Sequence, residues 1–122
     1  MGGIDGQVSW VLQCAVKEGQ LDAFTQLMEE MVESTRDEEA GTLNYEWFIS
    51  DDNGTVHLYE KYADSGAALA HMKSFGEKWA GRFLSCIDVE RVTAYGNPDE
   101  AAQKALAQMG AKTLATWGGF AR

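Results

Sequence analysis

The sequence predicts an α+β fold in which an antiparallel sheet carries helices on one face. Three observations point there. Apolar residues alternate with period two along 8–16, 42–50, 55–62 and 87–95. Helical spacing fills the intervals at 20–37 and at roughly 64–76. Between the second and third strands stands only Asp51-Asp52-Asn53-Gly54, and Asn-Gly between apolar strands signals a hairpin. The order β-α-β-β-α-β is the split βαβ, ferredoxin-like arrangement.

Each element has its own grounds. In the first strand Val8, Trp10, Leu12, Cys14 and Val16 share a face, with Val11 and Ala15 on the other. Lys17-Glu18-Gly19-Gln20 is a turn. The first helix gathers Leu21, Phe24, Leu27, Met28, Met31 and Thr35 on one face and its acids opposite. Glu38-Glu39-Ala40-Gly41 ends it, and Gly41 suits a left-handed backbone. Leu43, Tyr45, Trp47 and Ile49 alternate along the second strand. The third sets Val56, Leu58, Glu60 and Tyr62 against His57, Tyr59 and Lys61. Asp64 and Ser65 supply oxygens that cap the second helix, whose stripe is Ala68, Leu69, Met72 and Phe75 with His71 at its edge. Gly76 and Gly81 bracket an aromatic segment, 77–82, containing Trp79. Asn97-Pro98-Asp99-Glu100 opens a third helix, with Asn97 as cap and Pro98 at the first helical position. It runs to about Met109 and stops at Gly110. Lys112–Phe120 is a candidate short last strand, ended by Gly118-Gly119. The expected organisation is one domain, 1–122, with a core of about 8–95 and a C-terminal extension of about 97–122.

Composition narrows the function. A formal net charge of −9 with no Lys/Arg cluster disfavours nucleic acid. The acids Glu29, Glu30, Glu33, Asp37, Glu38 and Glu39 read as a solvated helix face. Cys14 and Cys86 read as buried free thiols of a reducing compartment, without zinc-ligand spacing. The opening residues MGGIDGQ lack the basic and apolar regions of a signal peptide, and no apolar run is long enough to span a membrane. A cytoplasmic protein with no membrane partner is expected. No phosphate loop, flavin or nicotinamide fingerprint, or nucleophile elbow is present, so no cofactor is expected.

Helices on one side of a sheet leave the other side open. In a monomer that side would be polar at every second position. Here Val11, Phe48, His57 and Tyr59 make it semi-polar and aromatic, which suits a second sheet better than water. The sequence therefore predicts a two-fold homodimer with stacked sheet faces. His57 belongs to that interface. His71, beside the apolar stripe of the second helix, is where a small-molecule pocket would hold its one polar group.

Gly41-Thr-Leu-Asn-Tyr45-Glu46, then Leu58-Tyr59-Glu60-Lys61-Tyr62, then His71 in the following helix, stand in order at fitting separations. Together they resemble the antibiotic biosynthesis monooxygenase family of dimeric α/β barrels. That family shows G-x-L-x-Y-E at one strand, Y-E-x-aromatic at a later one, and a helix carrying alanines then histidine. The stretch VKEGQLDAF, 16–24, is similar to its first strand-to-helix turn. The resemblance covers about 8–95 and implies cofactor-independent oxygenation of a small aromatic or quinol. A non-catalytic small-molecule-binding dimer of the same fold is the alternative. The haem-degrading branch uses a histidine about ten residues beyond His71 and an asparagine in the first strand. Neither Trp79-Ala80-Gly81-Arg82 nor 8–16 supplies them, so haem cleavage is disfavoured.

On this resemblance His71 is the candidate catalytic acid/base, its ordinary pKa near ~6.5 allowing it to take a phenolic proton. Glu60 either orients His71 or pairs with Arg82 or Arg91 as scaffold. Tyr45, Trp47, Tyr62 and Trp79 either stack on a planar substrate or serve as core aromatics. Trp79, between two glycines, has the setting of a lid residue. Met72 and Phe75 complete the candidate substrate wall. A small hydrophobic or aromatic ligand is the expected partner.

Overall fold

The computed structural model describes residues 6–122. Residues 1–5, where the signal-peptide expectation mainly falls, lie outside the described residues. The elements run β1 (Val8–Val16), α1 (Leu21–Glu38), β2 (Thr42–Ile49), β3 (Thr55–Tyr62), α2 (Ser65–Lys78), α3 (Ala80–Cys86), β4 (Ile87–Gly96), α4 (Glu100–Gln108) and β5 (Lys112–Leu114). The sheet order is β2-β3-β1-β4-β5. The first four strands pair antiparallel and β5 adds parallel to β4, so the sheet is mixed. This is the ferredoxin-like α+β fold expected from the alternation of periods. Among the described residues, no helix is long and apolar enough to cross a membrane.

The core lies between the sheet and the helices. The β1 positions Val8, Trp10, Leu12 and Cys14 are buried, as are Val56, Leu58, Glu60 and Tyr62 of β3. From the helices Phe24, Leu27, Met31, Ala68 and Phe83 meet them. Trp10 stacks on Tyr62 at 4.7 Å between ring centroids. Each large apolar side chain taken fully from water contributes about 1.5–3 kcal/mol, so this layer dominates the stability. Both cysteines are free and buried, and burial pushes the Cys14 thiol up to about 12.

Several local expectations change. Gly41 does not take a left-handed backbone; a side chain there would bring its Cβ within 2.6 Å of Ala67 Cβ. Its role is to let the α1–β2 connection pass close to α2. In the hairpin, Asn53 and not Gly54 is left-handed, with φ 61°, while Asp52 Oδ1 accepts from the Gly54 amide. Leu43 and Ile49 are exposed, because β2 is an edge strand with a register shift between Thr42 and Asn44. The aromatic segment 77–82 is largely helical: α2 runs to Lys78, breaks at Trp79 and resumes as α3. The cap of α4 is Asp99, whose carboxylate accepts from the Ala102 amide at 2.9 Å, and Pro98 precedes it. Asp64 caps α2 as expected. The last strand is three residues long, and the tail beyond it leaves Trp117 and Phe120 exposed.

The sheet face away from the helices carries Phe48, His57 and Tyr95 exposed, with Val11 and Tyr59 half-buried. The tail residues Ala115, Thr116 and Gly118 border a cavity of about 290 Å³ over one end of that face, with Ser9, Tyr59, Lys61 and Tyr95.

Candidate functional site

Strand alternation sends Glu60 and Tyr62 of β3 inward, and the turn of α2 sends His71 down to meet them. His71 is not at the edge of a stripe; it is 5 % exposed and is, with Ala68, the buried residue of its helix. Glu60 is 2 % exposed. The ring is held on both sides. His71 Nδ1 lies 2.7 Å from Glu39 Oε1, and Nε2 lies 3.1 Å from Glu60 Oε1. The Tyr62 hydroxyl donates to the same Glu60 oxygen at 2.5 Å. Glu60 is thus no partner of Arg82, which grips Glu30 through two bonds of 2.8 and 3.0 Å.

The sequence places Glu39 on a solvated acidic face. The structure puts it instead at the C-terminal cap of α1. Its amide donates to Thr35 O, its carbonyl accepts from the Thr42 amide, and Thr42 Oγ1 donates to its carboxylate at 3.3 Å. The chain turns back at this point and carries the carboxylate under α2, leaving the side chain 16 % exposed.

Ionised carboxylates only accept, so a ring flanked by two of them is favoured with both nitrogens protonated. Burial alone would push the imidazole pKa down. Hydrogen bonding to Glu39 and pairing with Glu60, with their charges, outweigh burial and hold it up at about 9. At neutral pH His71 therefore stands as imidazolium, not as the free base its ordinary pKa suggested. Burial, then the Glu60 charge, push the Tyr62 and Tyr45 hydroxyls far above the usual phenol range, so both stay protonated.

Glu60 and His71 border a cavity of about 100 Å³ with Trp10, Leu12, Met31, Tyr45, Leu58, Met72, Phe75, Phe83 and Met109. Of the candidate residues, Tyr45, Met72 and Phe75 are brought together here. Tyr62 reaches the site through Glu60 and by its ring, 5.2 Å from that of His71. Trp47 instead lines a neighbouring, mostly apolar cavity of about 220 Å³ with Leu21, Phe24, Met28 and Phe48. Trp79 lines neither; it sits at the α2–α3 break with the Arg82 guanidinium 5.9 Å from its ring centroid. A more polar cavity of about 320 Å³ lies on the outer side, bordered by Thr35, Arg36, Glu39, Thr42 and Tyr45. Tyr45 is common to the inner and outer spaces.

Among the described residues, three buried polar atoms have no hydrogen-bond partner: Trp10 Nε1, Tyr45 Oη and Trp47 Nε1. Thr35 stands near the Tyr45 hydroxyl without completing a bond of good geometry. Trp10 and Tyr45 also line the His71 cavity through other atoms, while Trp10 Nε1 and Tyr45 Oη are themselves sealed from solvent. No group of three or more histidine, cysteine or acidic residues suited to a metal occurs among the described residues.

Sequence reasoning misses Glu39, Trp10, Phe83 and Met109 as site residues. Phe83 and Met109 come from separate helical segments and carry no local signal. Trp10 reads as a core residue of β1, and that core face is where the cavity opens.

A family model described as antibiotic biosynthesis monooxygenase matches residues 8–79, from β1 to the end of α2, the span that holds Glu39, Glu60 and His71. No curated protein matches the chain. Among solved structures, MupZ from Pseudomonas fluorescens superposes with a TM-score of 0.83 at 21 % identity, covering 96 % of this chain and 95 % of that one. Rv0793 from Mycobacterium tuberculosis gives 0.57 at 24 % identity, covering 78 % and 98 %. A putative antibiotic biosynthesis monooxygenase from Nitrosomonas europaea gives 0.62 at 20 % identity, covering 77 % and 88 %. These likenesses show a shared fold, and the family match spans more than half of the sequence. The chain belongs to the antibiotic biosynthesis monooxygenase family.

Proposed function

We propose that this protein is a cofactor-independent monooxygenase that binds a small electron-rich aromatic or quinol in the His71 cavity and moves a proton there. The observation that carries the reading is the buried Glu60–His71 pair on the wall of an otherwise apolar space. With the ring protonated, the accepting role falls to the Glu60 carboxylate, and the imidazolium stabilises the substrate anion as it forms. That anion is a better electron donor to dioxygen than the neutral substrate. For a quinol the balance is one oxygen atom inserted at a ring C–H and the other leaving as water with the two hydroxyl hydrogens, giving the hydroxyquinone. For an activated CH₂ it is one oxygen atom to carbon as C=O and the other leaving as water with the two hydrogens removed.

The size of the space bears on the substrate. A cavity of about 150 Å³ holds benzene. At about 100 Å³ the inner cavity is smaller than that, so even a single ring enters only as the flexible Met72 and Met109 yield, and fused rings need more. Oxygen uptake across a panel of monocyclic quinols and anthrones is expected to be fastest on the single-ring compounds. His71→Ala is expected to lower the rate by about 10²–10⁴-fold. Equal rates in the two proteins would remove His71 from the reaction. Product formed without oxygen consumption would keep the acid–base pair and discard the oxygenase half.

Binding without turnover is a second reading, favoured by an imidazolium already engaged on both sides. A ligand-induced rise in melting temperature with no product would support it.

Setting and assembly belong to the same proposal. The free, buried cysteines suit a cytoplasmic, reducing setting. The open sheet face, with Phe48 and Tyr95 exposed, suits a second copy. Sedimentation equilibrium at micromolar concentration is expected to give twice the chain mass of 13.4 kDa. A clean monomer would remove the dimer.

A further inference from the structure

We propose that Glu39, at the end of α1, is the positioning residue of this site: its carboxylate fixes the His71 ring with Nε2–H turned to Glu60. The inference rests on the proton-transfer reading of the Glu60–His71 pair, and goes beyond it by assigning a residue that the sequence places on a solvated face.

The geometry supports the assignment in three ways. The Nδ1–Glu39 contact, 2.7 Å, is the shorter of the two that hold the ring. Glu39 borders the outer cavity and does not line the inner one, so it acts through the ring and does not touch a substrate held there. It is itself fixed at three points, by its amide to Thr35 O, its carbonyl from the Thr42 amide, and its carboxylate from Thr42 Oγ1. A carboxylate anchored at one nitrogen sets which protons the ring carries and where the other nitrogen points. The titratable groups facing the ring are Glu39 from the α1 end, Glu60 and Tyr62 from β3, and Tyr45 from β2, whose ring centroid is 5.4 Å away. The two tyrosines remain neutral, so the proton count of the ring answers to the two glutamates. In turnover the substrate proton passes between the substrate and Glu60 at the Nε2 side, while Nδ1–H stays on the ring.

The test uses Glu39→Gln, which can still accept from Nδ1–H but carries no charge, with Glu39→Asp as the conservative partner. The readout is the His71 titration followed by ring ¹⁵N and ¹³C chemical shifts, which needs no substrate. Glu39→Gln is expected to move that titration at least one pH unit lower, with Glu39→Asp between it and the parent. Where turnover is measurable, the pH profile should move with it and kcat should fall about 10–100-fold with KM little changed. A His71 titration unmoved by Glu39→Gln would overturn the proposal. So would unprotonated Nδ1 in the parent protein at pH 7, a measurement that stands even if the variant does not fold. Absence of turnover across the panel would count against the oxygenase reading alone, because the ring titration is independent of it.

Discussion

Replacement of His71 by alanine is expected to destabilise the fold by about 3–5 kcal/mol, in addition to its effect on any turnover. The reason is what it leaves behind. Glu39 and Glu60 reach the ring from opposite sides with side chains 16 % and 3 % exposed, and the imidazolium is the positive group between them. Without it a buried carboxylate remains with only the Tyr62 hydroxyl for a partner, and a second faces it across a cavity. One buried carboxylate must then bind a proton or admit water. The variant should therefore regain stability as the pH is lowered toward the carboxylate range, opposite in sense to a protein losing its acid-labile ion pairs. Urea denaturation of the two proteins at pH 7 and pH 5 measures both effects. A loss under about 1 kcal/mol at pH 7 would mean the two glutamates are neutralised by something other than the ring.

The parent protein should show a complementary dependence at alkaline pH. His71 binds its proton more tightly folded than unfolded, with its pKa raised from the ordinary 6.5 to about 9. A raised pKa contributes stability that is fully present below about pH 6.5 and is lost as pH climbs through 9. Each pH unit between the unfolded and folded values corresponds to ~1.4 kcal/mol, so the expected decline between those limits is on the order of 3 kcal/mol. Denaturation midpoints at pH 6, 7.5 and 9, with His71→Gln as the control lacking the titrating ring, check it. A parent profile flat to pH 9, or one as steep in the control, would place the proton elsewhere.

Both results concern a site that is partly legible in the sequence. Strict alternation along 55–62 puts Glu60 and Tyr62 on the apolar face, and the helical spacing of α2 brings His71 near them. Their contact follows from topology, because the β3–α2 turn folds the helix straight back over its own strand. Glu39 follows from nothing local. It ends a run of acids whose other members are solvated, and only the backward turn before Gly41 separates it from them. That turn depends on a Cβ being missing opposite Ala67, a relation between residues far apart in sequence. Helix α3 escapes for a different reason: seven residues give too few turns for a period to show. It brings Phe83 to the cavity, so the missed helix and the missed wall residue are one omission. The sequence favours Asn97 as the α4 cap because Pro98 follows it, but Ser65 Oγ accepting from the Asp99 amide ties the helix start to α2 and the cap moves to Asp99.

Trp117 stands wholly in solvent, whereas Trp10 is sealed in the core and Trp47 and Trp79 lie between these extremes. The chain thus carries its own optical probe. Indole emission from Trp117 should be red-shifted and open to collisional quenching by iodide, and any surface that comes to cover the tail would shift it to the blue without a label being attached.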